Sequence, residues 1–244
     1  MSARVAVVTG GARGIGGTTA TMLADEGWTV HSLDLGPSPN ADIVSHVCDV
    51  ASEAAQMAAA EAIGQIDALV CCAGINLRPD DHRPEQLTLD AWNKTLAVNL
   101  TGTMLSVRAF RPRIRPDGAI VTLGSVAAIR AMPLADAYTA SKGAIVALTK
   151  CWAVDYSRFG IRVNCVCPGP VSTPMMDGVI EQFGKSQQLQ LPQQRMARPE
   201  EVGALIAFLV SPAASYVSGA IIPVDGSATA HSAGMPFPRR RDAV

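Results

Sequence analysis

The stretch Val5–Gly16, which reads VAVVTGGARGIG, decides the fold of this chain. Its first residues are apolar and mostly β-branched, which is typical of a short strand buried on both faces. The run passes directly into a turn with glycines at Gly10, Gly14 and Gly16, and a helical pattern follows. A helix that starts here offers unpaired N–H groups and the positive end of its dipole to a phosphate. We therefore expect a dinucleotide-binding turn.

The rest of the chain alternates strands and helices in the same way. The predicted strands are Val5–Thr9, Thr29–Asp34, Ile43–Cys48, Ala68–Cys72, Ala119–Leu123, Arg162–Cys167 and Ala220–Val224. The predicted helices include Gly14–Glu26, Asp90–Phe110, Ala137–Phe159 and Pro199–Val210. This alternation predicts an α/β fold of the doubly wound type, with helices on both faces of a parallel sheet.

Length and composition favour one domain spanning residues 1–244. A chain of 244 residues with 48% hydrophobic residues supplies one sizeable core, so the cofactor and substrate sites must share one fold. Two segments interrupt the alternation. The segment 173–198 is rich in Met, Gln and Pro and is predicted to be a mobile substrate lid, and residues 228–244 form a C-terminal tail.

Charge and cysteine usage exclude several functional classes. A net charge of −1 argues against nucleic-acid binding, and no apolar run reaches the roughly 20 residues of a membrane span. The six cysteines lie in apolar or helical segments without zinc-ligand spacing, so we expect no metal site and a reducing, cytoplasmic compartment. Charged residues make up only 17%, which suggests surface hidden in an oligomer.

Asp34 and Arg13 make opposite predictions about the cofactor. Asp34 ends the second strand, where its carboxylate can accept both ribose hydroxyls of an adenosine and repel a 2′-phosphate. Arg13, in the glycine-rich turn, could instead pair with such a phosphate. The repulsion between a carboxylate and a dianionic phosphate outweighs the attraction that a flexible surface arginine offers. We therefore expect NAD, with NADP the less favoured alternative.

Tyr138 and Lys142 form a candidate acid–base pair. They are four residues apart at the start of a helix, so their side chains share one face. A phenol with an ordinary pKa near 10 is a poor base at neutral pH, and a neighbouring ammonium favours the phenolate. Ser125, at the end of a strand, could hold the same substrate oxygen. These residues predict proton exchange with an alcohol.

Taken together, these residues resemble the short-chain dehydrogenase/reductase family from about Arg4 to Ser227. The motifs follow the family's order: the glycine-rich turn, Asp34, Cys48-Asp49-Val50, Cys72-Ala73-Gly74, Val98-Asn99-Leu100, Ser125, Tyr138 with Lys142, Pro168-Gly169 and Val224-Asp225-Gly226. Cys71-Cys72 replaces the family's common Asn-Asn, which we expect to weaken a bond that braces the sheet. Asp225-Gly226-Ser227 replaces a more usual Gly-Gly.

The resemblance implies a seven-stranded Rossmann-like fold and a catalytic tetrad of Asn99, Ser125, Tyr138 and Lys142. Tyr138 would be the general acid/base, Ser125 would polarise the substrate oxygen, and Lys142 would lower the Tyr138 pKa and hold the nicotinamide ribose. Asn99 would connect Lys142 to solvent through a water. The implied cofactor-binding residues are Gly10, Arg13, Gly14, Ile15, Gly16, Asp34, Asp49, Val50, Ala73, Gly74, Tyr138, Lys142, Pro168, Gly169, Val171 and Thr173.

The expected activity is NAD-dependent interconversion of a secondary alcohol and a ketone. An NADPH-dependent carbonyl reductase and a non-catalytic dinucleotide-binding scaffold remain the alternatives. The substrate should contact Ile75–Arg78, Val126–Met132 and Pro174–Met196, which are mostly apolar. Arg78 and Arg130 could meet an anionic group, although a solvent-facing role and a non-acidic ketone are the simpler expectations. Family members pair subunits through the two central helices, so we expect a homotetramer or homodimer.

Overall fold

The computed structural model describes residues 3–78, 80–183 and 191–232, and these form a seven-stranded parallel sheet flanked by helices. The strands are β1 (Val5–Thr9), β2 (Thr29–Asp34), β3 (Val44–Val47), β4 (Ile66–Cys71), β5 (Ile114–Leu123), β6 (Arg162–Pro168) and β7 (Ile221–Val224). The helices are α1 (Gly14–Asp25), α2 (Glu53–Ile63), α3 (Leu89–Leu96), α4 (Thr103–Phe110), α5 (Asp136–Ser157), α6 (Pro174–Phe183) and α7 (Pro199–Val210). The predicted fold class is confirmed.

The order of the strands determines where a ligand can bind. They lie in the order β3-β2-β1-β4-β5-β6-β7, and every neighbouring pair is parallel. From β1 the chain adds β2 and β3 on one side of the sheet and then β4 to β7 on the other. The position between β1 and β4 is therefore the topological switch point. In open α/β sheets, the crevice at the carboxyl ends of the strands beside such a point is where ligands bind.

Alternating residues of the strands pack into two hydrophobic layers. Val8 of β1 packs in the same cluster as Leu23 of α1 and Ile206 of α7. Its neighbour Val7 points to the opposite face and packs in a cluster with Phe110 of α4. All five side chains are fully buried, as expected for a parallel sheet that is covered on both faces.

The predicted helix Asp90–Phe110 is helical throughout, but it is not a regular α-helix along its whole length. A π-helical segment at Ala97–Gly102 separates α3 from α4 and adds backbone that a regular helix would not contain. Side chains stabilise its carbonyl groups: the Thr103 hydroxyl donates to the Asn99 carbonyl at 2.9 Å, and the Gln56 amide donates to the Gly102 carbonyl at 3.0 Å. The wider turn aims Asn99 at the carboxyl ends of the strands.

The fifth strand is longer than the sequence pattern predicts. It starts at Ile114 rather than Ala119, because the Pro-Asp-Gly sequence that reads as a turn is absorbed by an irregularity in the pairing of β4 with β5. The Arg115 guanidinium donates to the Asp67 carboxylate at 2.7 Å across these two strands. This ion pair holds the irregular end of the strand on its neighbour.

The predicted lid begins with α6 and returns to the fold through a parallel bridge between Val171 and Ala197. Its residues 184–190 lie outside the described residues, as do residues 233–244 of the predicted tail. At the amino end of α7, Arg195 donates two hydrogen bonds to Glu201 at 2.7 Å. Across the described ranges, no helix combines the length and the apolar character that a membrane crossing demands.

Candidate active site

The glycine-rich turn is packed too tightly for larger residues. A β-carbon on Gly16 would stand 2.1 Å from the Gly10 carbonyl oxygen, and one on Gly10, whose φ is +66°, would stand 2.8 Å from the Ala73 Cα. Gly14 has open space above it, since the nearest atom is a Thr173 methyl at 3.7 Å. No side chain caps the amino end of α1, so its first N–H groups are available to a phosphate.

Asp34 lies at the end of β2, beside this turn. Its Oδ2 accepts a hydrogen bond from the Ala12 N–H at 3.0 Å, and its Oδ1 accepts one from the Leu35 N–H at 2.7 Å. A carboxylate has about four acceptor positions, so both oxygens can still accept from a ribose. Arg13 is exposed in the same turn. The turn and the carboxylate together fit the adenosine half of a dinucleotide.

Asp49 and Val50 follow β3 and occupy different environments. Asp49 is exposed, and its Oδ1 accepts from the Ala51 N–H at 2.9 Å. Val50 is buried against the π-helical segment, where a β-carbon on Gly102 would stand 2.9 Å from its Cγ2. The predicted contact of Asp49 with adenine stays a prediction. Val50 packs the segment after β3 against the π-helical segment.

The segment after β4 is held by Thr9 of β1. The Cys72 N–H donates to the Thr9 carbonyl at 3.1 Å, and the Ala73 N–H donates to the Thr9 hydroxyl at 3.3 Å. Main-chain and hydroxyl groups supply these bonds. The segment at Cys71-Cys72 therefore stays bonded to β1 without an asparagine amide. The main chain at Ala73 therefore stays next to Gly10, as the cofactor site requires.

Asn99 connects this segment to the helix that carries the acid–base pair. Its Oδ1 accepts from the Ile75 N–H at 2.7 Å, while its Nδ2 donates to the Ile75 carbonyl at 2.9 Å and to the Ser141 hydroxyl at 3.1 Å. A β-carbon on Gly74 would stand 3.3 Å from the Asn99 Oδ1 and 3.4 Å from the Lys142 Nζ. Asn99 and Lys142 thus both lie against the same face of Gly74.

Tyr138 and Ser125 meet at the carboxyl end of β5. Burial raises the pKa of the Tyr138 phenol, whereas its hydrogen bond with Ser125 lowers that pKa and the nearby Cys167 raises it. The Ser125 Oγ also accepts from the Ala127 N–H at 3.1 Å, which fixes the hydroxyl at the start of a short 3₁₀ turn. The two side chains expected to hold a substrate oxygen are therefore already paired.

Lys142 lies beneath Tyr138 and is almost fully buried. Its Nζ donates to the Leu123 carbonyl at 3.0 Å and lies 5.8 Å from the centre of the Tyr138 ring. Burial lowers the pKa of Lys142, and the thiols of Cys165 and Cys72 act in the opposite direction. The structure places its ammonium next to the phenol, where positive charge favours the phenolate.

The segment after β6 forms the opposite wall. The Gly169 N–H donates to the Val224 carbonyl at 3.0 Å, and a β-carbon on Gly169 would stand 3.0 Å from the Asp225 Cα. Val171 is buried, and the Thr173 hydroxyl donates to its carbonyl at 3.3 Å. Pro168, Gly169, Val171 and Thr173 all line the same cavity as Tyr138, as does Ile15 of the first turn.

The cavity has a volume of about 390 Å³ and extends beyond the cofactor residues toward α6. Its outer part is lined by Asn76, Arg78, Val126, Met132, Pro133, Leu134, Met175 and Met176. Six of these eight positions fall within the three ranges expected to contact the substrate. Met196 was expected there and is not among the lining residues, while Arg130 is exposed and its guanidinium donates to the Ala228 carbonyl.

Asp81 is a site residue that the sequence did not reveal. Its carboxylate is 1% exposed and accepts from two N–H groups in the first turn of α5, those of Ala137 at 3.0 Å and Tyr138 at 2.8 Å. It thereby fixes the backbone that carries the phenol. An acidic residue in a polar loop resembles a solvated side chain, and nothing in its spacing points to a helix 56 residues away.

Comparisons with known proteins show which family this chain is similar to. A family model described as enoyl-(acyl carrier protein) reductase matches residues 10–229. The chain is 38% identical to 2-(R)-hydroxypropyl-CoM dehydrogenase of Xanthobacter autotrophicus, with 93% of this chain and 99% of that protein covered. It is 39% identical to cis-4-hydroxycyclohexanecarboxylate dehydrogenase of Sinomonas cyclohexanicum, with 93% and 97% covered.

A solved structure matches the whole architecture. The ligand-free aldohexose dehydrogenase of Thermoplasma acidophilum superposes with a TM-score of 0.90 at 30% identity, and the match covers 97% of this chain and 98% of the other. The matched family model spans the glycine-rich turn, the acid–base pair and the last strand. On this evidence of sequence and fold, the chain belongs to the short-chain dehydrogenase/reductase family.

Proposed function

We propose that the protein is an NAD-dependent dehydrogenase that interconverts a secondary alcohol and a ketone. The observation that carries the proposal is the partly buried phenol of Tyr138, which is bonded to Ser125 and lies above the Lys142 ammonium inside the cavity. The two relatives described above are dehydrogenases whose names specify hydroxylated substrates, which supports alcohol oxidation. A nicotinamide dinucleotide, when bound, supplies the hydride acceptor for this chemistry.

The residues of the chain would hold that cofactor along the carboxyl edge of the sheet. The first turn of α1 would bind the pyrophosphate, Asp34 the adenosine ribose, and Lys142 the nicotinamide ribose. Val171 and Thr173 would contact the nicotinamide end, next to the phenol. These assignments fit the tight glycine turn and the uncapped helix, since both leave room and N–H donors for an anionic group.

Tyr138 would move the proton at the substrate oxygen. In alcohol oxidation the phenolate accepts the hydroxyl proton while Ser125 donates a hydrogen bond to the same oxygen. Lys142 favours the phenolate by its positive charge, and this effect is strong because the site is buried. Asn99 acts by holding the loop at Ile75 and the helix at Ser141 in register.

Replacing Tyr138 tests the proposal directly. Tyr138→Phe should remove nearly all NADH formation across a panel of secondary alcohols, because no proton acceptor remains at the substrate oxygen. NADH binding, followed by its fluorescence, should stay close to that of the wild type. Tyr156→Phe is a matched control, since Tyr156 lies outside the cavity lining and carries the same chemical change. Substantial alcohol oxidation by Tyr138→Phe would overturn the proposed role.

The preference for NAD rests on Asp34. Its carboxylate is fixed by two main-chain N–H groups and cannot turn away from a 2′-phosphate without losing them. Asp34→Ala should therefore raise kcat/KM with NADP at least tenfold and lower it with NAD. Arg13 is exposed in the same turn and favours the NADPH-dependent carbonyl reductase as the second candidate. Equal use of both cofactors by the wild type would support that alternative.

The wider organisation is proposed on the same basis. The fold would act as a single catalytic domain with 173–198 as the substrate lid, in the cytoplasm and without a metal, membrane or nucleic-acid partner. Val154 on the outer face of α5 is 74% exposed and Phe159, just after the helix, is 39% exposed, which favours pairing of subunits through this region into a homodimer or homotetramer. Light scattering at micromolar concentration should show more than one subunit.

A further inference from the structure

The substrate cavity has an asymmetric distribution of charge. Among the described residues that line it, the charged ones are Arg78 and Lys142, and both are cations. Lys142 belongs to the catalytic centre beneath Tyr138. Arg78 lies in the loop after β4, among the lining residues of the outer part of the cavity. A pocket that is otherwise lined by Met, Val, Leu and Pro side chains therefore has a second positive group.

The Arg78 guanidinium is held in the wall of the cavity. Its Nη2 donates to the Pro133 carbonyl at 3.2 Å, and the side chain is only partly exposed. Burial lowers the pKa of Arg78 and the charge of Asp81 raises it, and a guanidinium pKa starts so high that the group keeps its charge at neutral pH. Arg78 thus places a charged guanidinium in the wall of the cavity.

Asp81, the carboxylate whose charge acts on Arg78, does not itself line the cavity. Both oxygens of Asp81 accept from N–H groups of α5, and Asp81 is absent from the lining. The same two bonds tie the loop that carries Arg78 to the helix that carries Tyr138. The distance between the cation and the reacting oxygen is therefore set by the fold rather than by a mobile loop.

We propose that Arg78 is a specificity-determining residue that binds a carboxylate on the substrate, so that the preferred substrate is a secondary alcohol with an anionic group. This inference rests on the proposed function. The hydroxyl would lie at Tyr138 and the carboxylate at Arg78, and Met132 and Met175 would contact the carbon skeleton between them. Guanidinium and carboxylate groups form short, charge-assisted hydrogen bonds that can be bidentate. A neutral alcohol lacks this contact and gains only apolar packing.

Binding measurements test the inference without any turnover. Cyclohexanecarboxylate and its neutral isostere cyclohexanecarboxamide are titrated into the complex of the full chain with NADH, with calorimetry as the readout. The wild type should bind the carboxylate at least tenfold more tightly than the carboxamide. Arg78→Met should remove this difference, and Arg78→Lys should retain part of it because the charge remains.

Arg83→Met is the matched control for the loss of one positive charge. Arg83 lies in the same loop, is paired with Glu85 at 2.6 Å, is mostly exposed and does not line the cavity. This variant should keep the preference of the wild type. NADH affinity should be unchanged in both methionine variants, which separates a substrate contact from a cofactor contact. Equal binding of the two probes by the wild type, or a preference that survives Arg78→Met, would overturn the inference.

Kinetics then distinguish this inference from the proposed function. With cis-4-hydroxycyclohexanecarboxylate and 4-methylcyclohexanol as probes, Arg78→Met should lower kcat/KM at least tenfold for the first, mainly through KM, and less than twofold for the second. Oxidation of both probes with no effect of Arg78→Met contradicts the inference and leaves the dehydrogenase intact. A carboxylate preference in binding without any NADH formation from alcohols contradicts the proposed dehydrogenase and leaves the anion site intact.

Discussion

Asp81 gives the sharpest test of how the fold positions the catalytic phenol. Its carboxylate is 1% exposed and accepts from the N–H groups of Ala137 and Tyr138 at the amino end of α5. Hydrogen bonds to a charged group contribute about 1.5–3 kcal/mol each, and a negative charge at a helix amino end adds up to about 2 kcal/mol. Removing the costly burial of a carboxylate offsets part of this sum.

We therefore expect Asp81→Ala to lower the free energy of unfolding by about 3 kcal/mol, because two N–H groups lose their acceptor. Asp81→Asn should lose about half as much, since one oxygen still accepts while the charge is gone. Urea denaturation followed by circular dichroism, at one protein concentration, measures both losses. Asp80→Ala is the matched control, because Asp80 is exposed and adjacent.

The same variants should affect catalysis more than cofactor binding. Tyr138 lies in the first turn of α5, and a displacement of about 1 Å in an acid–base group can cost a factor of about 100 in rate. We expect kcat of Asp81→Ala to fall ten- to a hundredfold while NADH affinity changes little. An unfolding free energy within about 0.5 kcal/mol of the wild type would refute the reasoning, and so would an equal loss in Asp80→Ala.

Two further predictions concern the acid–base pair and the glycine-rich turn. Ser125→Ala removes a hydrogen bond that lowers the Tyr138 pKa, so the rising limb of kcat against pH for alcohol oxidation should move to higher pH; an unchanged midpoint contradicts this. Gly16→Ala would place a β-carbon 2.1 Å from a main-chain oxygen and should weaken NADH binding at least a hundredfold by fluorescence titration. Gly36→Ala, where nothing lies within 4 Å, should leave binding unchanged, and a loss there equal to that of Gly16→Ala would contradict the steric argument.

The parts of the fold that follow from local pattern were predictable. The bounds of β1 and β2 agree with the predicted Val5–Thr9 and Thr29–Asp34, because β1 is an apolar run that ends before Gly10 and β2 is a short β-rich run that ends at an acidic residue. The start of β5 was not predictable in the same way. Residues Pro116–Gly118 read as a turn, and only the pairing with β4 shows that the strand continues through an irregular register.

The same distinction between local pattern and long-range contact applies to the residues of the site. Tyr138 and Lys142 share a helix face because four residues make about one turn, so their proximity is local and readable from spacing. Asp81 reaches the same helix through contacts across 56 and 57 residues, which no periodicity encodes. For Arg78, the sequence showed only the charge. Its place in the cavity wall depends on the loop at Pro133, a contact that the sequence pattern does not indicate.

The π-helical segment at Ala97–Gly102 also bears on how this protein could be engineered. Deleting one residue there would restore a regular α-helix and strengthen its main-chain bonding. The same deletion would rotate the preceding residues by about 100° relative to those that follow. Asn99 would then lose its bonds to Ile75 and Ser141. The same rotation would turn the buried Ala91 and Thr95 of α3 out of their packing, so the π-helical segment is needed both for the position of Asn99 and for the seating of α3.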